Sequence, residues 1–166
     1  GGSAPCEVWV LRLTNEKTLP EPARPEVFFS GALHGNERVG PNAVMELALL
    51  FAQHYVQGSN PWVTRLLNTR SLLMTPMTNA YGYHHNRREE QGIDPNRDFP
   101  YEQKPSECMA TVAARAVNEL WREHLVQLAI TFHAGMSCIS YEWGSFNHYP
   151  KPADRISPDD TAQVAL

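Results

Sequence analysis

Short β-prone runs alternate with longer stretches of helical period along this chain, and their order predicts an α/β domain. Val8-Trp9-Val10-Leu11 and Glu26-Val27-Phe28-Phe29 read as neighbouring strands, separated by a Pro- and charge-rich surface loop over 17–25. Gly40-Pro41 then opens a helical pattern through Val44, Leu47, Ala48, Leu50 and Phe51, with Pro in the first turn, where its missing N–H costs nothing. Asn60-Pro61 opens a shorter helix through Leu67, and Ser71-Leu72-Leu73-Met74 reads as a third strand. From Thr75 to about Lys104 the pattern gives way to turn residues and paired His and Arg, a functional loop by its length. A helix is expected from Ser106, as N-cap, to Leu125. It feeds a buried apolar strand, Leu128-Ala129-Ile130-Thr131-Phe132, and Ser157-Pro158-Asp159-Asp160 opens one more helix. Strands alternating with helices imply an α/β fold with a mixed, largely parallel central sheet and ligands at the carboxyl ends of its strands.

Composition narrows the class without changing that picture. A chain of 166 residues that is 42% hydrophobic and 19% charged can bury one core and excludes a disordered or fibrous protein. A net charge of -4 with scattered Arg residues argues against nucleic acid as a partner. No apolar run approaches the roughly 20 residues that span a bilayer, so a soluble chain is expected, with cytoplasmic and secreted locations both open. Cys6, Cys108 and Cys138 form neither a disulfide framework nor a CxxC knuckle.

The chemistry is concentrated where predicted strands end. His34 and Glu37 stand three positions apart on a Gly-containing turn, His34-Gly35-Asn36-Glu37, and both can face one point. A catalytic zinc takes three N or O ligands and keeps one open position, although an HxxE pair by itself is as readily an ordinary loop. His133 closes an apolar strand, where a ring without a partner is costly. One such His alone would be read as bonded to a backbone carbonyl; beside His34 and Glu37 it reads as the third ligand. In Asp94-Pro95-Asn96-Arg97, an amide next to a guanidinium can form a fork for a carboxylate such as a free C-terminus. Asp94 can accept a hydrogen bond from the outer nitrogen of a metal-bound His. Composition alone would make the same segment a surface turn.

In that order these residues resemble the zinc carboxypeptidases, the funnel-shaped exopeptidases that include the pancreatic and regulatory enzymes. The pattern is HxxE, an Arg, DxNR, then a lone His after a strand, and it covers roughly Val8 to Leu166. The resemblance implies a three-layer α/β/α fold and one zinc ion held by His34, Glu37 and His133. It implies that Asn96 and Arg97 grip the substrate's terminal carboxylate and that Arg87 polarises the scissile carbonyl. Arg87 stands nine residues before Asn96, the spacing of the regulatory branch, whereas Arg88 is offset by one. It implies peptide or protein C-termini as substrates. It also makes residues 1–166 a partial catalytic domain, with the first elements absent and with the general-base Glu and a capping Tyr expected beyond Leu166.

The match with the regulatory branch frays after His133. Glu142 replaces a Pro, and Gly144 stands where that branch has an Asp that helps select basic C-terminal residues, so the resemblance leaves the preferred C-terminal residue open. Two other readings share part of the pattern. Amidohydrolases of the aspartoacylase and succinylglutamate desuccinylase type also use HGNE-like and NR segments, although Asn79-Ala80-Tyr81-Gly82-Tyr83 is similar to the carboxypeptidases' Asn-Pro-Asp-Gly-Tyr. A pseudo-carboxypeptidase that only binds peptide C-termini would have the same residues without the base. The adjacent His84 and His85 read as solvated loop residues.

Overall fold

The computed structural model describes residues 7–100, 105–141 and 157–165. They fall into two units, 1–135 and 136–166. Glu142, Gly144 and Cys6, named above, lie outside the described residues.

The first unit is built on a four-stranded sheet in the order β1-β3-β2-β4. Its strands are β1 (Leu11–Leu13), β2 (Glu26–Ser30), β3 (Ser71–Thr75) and β4 (Val126–Thr131). The β2–β3 and β2–β4 pairs are parallel and β1–β3 is antiparallel, which makes the sheet mixed and largely parallel. All five residues of β3 are buried, as a strand covered on both faces requires.

Alternation along β2 and β3 sends neighbouring side chains to opposite faces, and each face has its own helices. Phe29, Leu72 and Met74 pack with Val44, Ala48 and Phe51 of α1 (Val39–Gln57) and with Val63 and Leu67 of α2 (Pro61–Thr69). On the other face, Phe28 and Leu73 pack with Val117 of a later helix, α4 (Val112–Glu123), reached after the short α3 (Ala80–His85). Helix, sheet and helix make three layers. Asn60 caps α2 by accepting from the amides of Trp62 and Val63, ahead of Pro61. In the second unit α5 (Asp160–Val164) follows Ser157, and its Asp160 accepts a hydrogen bond from the Tyr141 hydroxyl at 3.0 Å.

Four boundaries differ from those the sequence predicts. β1 begins at Leu11, because pairing with β3, Leu11 opposite Met74, sets its register. The long loop holds α3 and a 3-10 turn at Pro95–Arg97, both too short to leave a periodic pattern. α4 starts at Val112, capped by Thr111, while Ser106 sits in a separate 3-10 turn, Pro105–Glu107. The fourth strand spans 126–131, and all of its residues except Val126 are exposed. β4 is an edge of the described sheet, and an apolar run alone does not distinguish an edge from a centre. Among the described residues no helix is long and apolar enough to cross a membrane.

Candidate metal centre

The carboxyl ends of β2, β3 and β4 converge, and the chemistry sits on the loops that leave them. Past Ser30 the chain runs through Gly31 and Ala32, the latter fully buried with φ 50, before it presents His34. That left-handed backbone at a non-glycine residue costs energy and is held by the amides of Thr78 and Asn79, which donate to the carbonyls of Gly31 and Ala32. The Asn79 side chain caps α3 through the Gly82 amide and donates to the carbonyls of Leu33 and Arg88, so one buried amide ties three loop segments together. Gly35 crosses Gly82 so closely that a Cβ on it would lie 2.1 Å from the Gly82 carbonyl carbon and 2.2 Å from the Tyr83 nitrogen. Both obstacles are backbone. Gly35→Ala is therefore expected to cost about 1–3 kcal/mol and to push Arg88 away from His34; a thermal melt beside a zinc titration measures both. An unchanged melt would show that the crossing is loose.

At this crossing three side chains face one another. His34 Nδ1 lies 2.9 Å from Glu37 Oε1, His133 Nδ1 lies 2.8 Å from Glu37 Oε2, and the two Nδ1 atoms are 3.1 Å apart. His34 is buried, Glu37 half-buried and His133 exposed, so the cluster opens to solvent on the His133 side. The Ala134 amide also donates to Glu37 Oε2, at 3.1 Å.

The ring orientation of His34 follows from its neighbours. Its Nε2 lies 3.0 Å from Asp94 Oδ1, an acceptor, and Arg88 Nη1, a donor, lies 3.2 Å from its Nδ1. The proton is thereby assigned to Nε2, and the Nδ1 lone pair is turned toward Glu37 and His133. Lone pairs and a carboxylate brought this close repel one another unless a proton or a cation lies among them. Ligand atoms of His34, Glu37 and His133 all fall within 4.8 Å of one another, so this donor set fits a metal ion taking two imidazoles and a carboxylate. Burial pushes the Glu37 carboxyl up, but hydrogen bonding, first to His133 and also to the Ala134 amide, outweighs it and leaves it below the usual range. Asp94 is likewise low: burial raises it, and the Arg88 guanidinium and the Asn96 amide more than compensate.

The predicted ligands and Asp94 are thus brought together, and Asn96 and Arg97 adjoin them on the Pro95–Arg97 turn, where Asp94 Oδ1 accepts the Asn96 amide at 2.9 Å. The two adjacent arginines fare differently. Arg88 directs Nε and Nη2 at Asp94 Oδ2, at 3.0 and 2.8 Å, with Nη1 3.5 Å from Glu37 Oε1. Arg87, the residue that spacing favours, is exposed, and its side chain makes no hydrogen bond or ion pair among the described residues. His84 and His85 are exposed and stack in a chain with Tyr81, outside the cluster. In the sequence Asn79 stands out only as part of a resembling run; its place before Ala80-Tyr81-Gly82 is the N-cap pattern that marks its structural role.

The sequence and the fold have counterparts. The chain is 26% identical over 172 residues to carboxypeptidase D of Rattus norvegicus, covering 96% of this chain and 12% of that protein. It is 32% identical over 107 residues to carboxypeptidase Z of Homo sapiens, covering 57% of this chain and 16% of that protein. The chain therefore spans a small fraction of these relatives. Among solved structures, thrombin activatable fibrinolysis inhibitor superposes with a TM-score of 0.66 at 17% identity, over 85% of this chain and 43% of that one. Carboxypeptidase A from Helicoverpa armigera does so with 0.61 at 18% identity, over 78% and 38%. At these identities the superpositions establish the fold, and the mixed sheet with helices described above is theirs. Residues 6–165 match the zinc carboxypeptidase family, and with nearly the whole chain inside that match, it belongs to that family.

Proposed function

We propose that this chain is the part of a catalytic domain that holds the metal and the substrate's end in a zinc-dependent carboxypeptidase, one that removes C-terminal residues from peptides or proteins. The convergence of His34, Glu37 and His133 at the carboxyl edge of the sheet, with Asn96 and Arg97 on the adjoining turn, carries the reading. One zinc ion held by these three residues would supply a water of lowered pKa and a Lewis acid for the scissile carbonyl. The protein's own groups do the rest. Asp94 keeps the proton of His34 on Nε2 and the Nδ1 lone pair on the metal side. Asn96 and Arg97 receive the terminal carboxylate, for which an amide and a guanidinium offer matched donors. Arg88 takes the oxyanion-facing role that spacing assigns to Arg87, because its guanidinium is the one that reaches the cluster. The chain covers only part of its relatives' length, so the activity is proposed for the full-length protein.

Asn79-Ala80-Tyr81-Gly82-Tyr83, resembling the peptidases' run at this point, favours peptides over N-acyl amino acids. Incubating the full-length protein and zinc with a peptide mixture and, separately, with N-acetyl aspartate tests the choice. Amino acids released from peptides, with N-acetyl aspartate intact, support the carboxypeptidase. The opposite pattern would make it an amidohydrolase, and zinc binding without turnover of either would make it a binding protein for C-termini.

A further inference from the structure

Asp94, Asn96 and Arg97 lie on a short segment around the buried Pro95, and the site needs it fixed. Both of its ends are tied to one helix. At the near end Glu90 is 6% exposed, and its two carboxylate oxygens accept the amides of Val112 and Ala113, at 2.8 and 3.0 Å, in the first turn of α4. At the far end Asp98 is 3% exposed; Oδ2 accepts the amide and hydroxyl of Thr111, at 2.7 and 2.8 Å, and Oδ1 accepts the Ala110 amide at 3.0 Å. The Asp98 carbonyl also accepts the Met109 amide at 2.7 Å. Buried carboxylates are costly unless fully paired, and these two find their partners in the unsatisfied amides at the positive end of a helix. Between them, the amides of Glu90 and Ile93 each donate to the other's carbonyl around Gln91 and Gly92, at φ 51 and 86, a two-residue reversal with both φ positive. The reversal brings Asp94 back to Arg88 and His34.

We infer that Glu90 and Asp98 are positioning residues of the catalytic site: they clamp residues 90–98 onto the N-terminus of α4 and so hold Asp94 against His34 and the Asn96–Arg97 pair beside the metal ligands. α4 is anchored in turn by Val117 against Phe28 and Leu73, so the clamp refers the site to the core of the sheet. The inference rests on the metal-site reading above for its functional part; the clamp itself rests on the contacts alone.

The test compares Glu90→Ala and Asp98→Ala with Val63→Ala, which weakens the core on the other face of the sheet without touching α4 or the loop, in the full chain. Amide hydrogen exchange reads the loop and zinc competition against a chromophoric chelator reads the site. The alanine variants at 90 and 98 are expected to lose exchange protection across 91–97 and to raise the zinc dissociation constant about tenfold, the low end of what loss of an outer partner of a metal ligand costs. Glu90→Gln and Asp98→Asn, which keep a carbonyl acceptor, are expected to restore part of both, while Val63→Ala changes neither beyond its effect on overall stability. Loop protection unchanged in Glu90→Ala and Asp98→Ala would overturn the clamp. Protection lost with zinc affinity intact would overturn the positioning role. If the unaltered chain binds no zinc, the metal-site reading fails, and the positioning role with it, while the exchange measurement still decides the clamp.

Discussion

Arg88→Ala is expected to lower kcat of the full-length enzyme by about 10²–10³-fold, equivalent to about 2.7–4 kcal/mol of barrier, with a smaller change in KM. The expectation follows from where the guanidinium lies. Nε and Nη2 hold Asp94, and Nη1 reaches the edge of the cluster shared by His34 and Glu37, so a positive donor faces the place where negative charge develops. Arg88→Lys keeps the charge but loses the planar fork, and should recover only part of the rate. Arg87→Ala should stay within a few-fold of the parent, since that side chain is exposed and contacts none of the cluster. The comparison belongs at saturating zinc, because loosening Asp94 also weakens the metal site. A large loss in Arg87→Ala with little in Arg88→Ala would return the role to Arg87.

The second large effect is on the metal. His133→Ala removes one of three converging donors and also a hydrogen-bonding partner of Glu37, so zinc affinity should fall by more than the roughly 100-fold that marks the upper range for outer-partner losses. Activity should fall with it. His85→Ala, a histidine outside the cluster, should leave zinc affinity unchanged and controls for nonspecific binding. Equilibrium dialysis with zinc measures both, and equal affinity in the two variants would place the metal elsewhere.

Much of this site is legible in the sequence because a metal centre needs particular residue types at strand ends, and strand ends carry a pattern. β2 and β3 are short apolar runs bounded by turn residues, and the β2 run by itself puts His34 and Glu37 just past the end of a strand. Asn60-Pro61 marks the start of α2 just as plainly. Other features are set by contacts distant in sequence. α4 is capped at Thr111 rather than Ser106 because Glu90 and Asp98 supply acceptors for the amides there, and nothing near Ser106 shows this. β1 slides along the chain to suit its partner β3. The Arg87 and Arg88 alternatives differ by one residue of spacing, which in a regular strand would reverse the side chain's direction. Here the direction of each side chain depends on the Gln91–Gly92 reversal and on the Arg88 carbonyl, which accepts the Gly35 amide at 3.2 Å. Counting residues to Asn96 captures neither.

The measurement closest to the central claim is hydrolysis by the full-length protein with zinc of one peptide series in two forms, free carboxyl and C-terminal amide. The account predicts stepwise release from the free acids alone, abolished by a chelator, restored by zinc, and reduced severely by Arg97→Ala. Equal cleavage of the amides, or cleavage indifferent to the chelator, would contradict it.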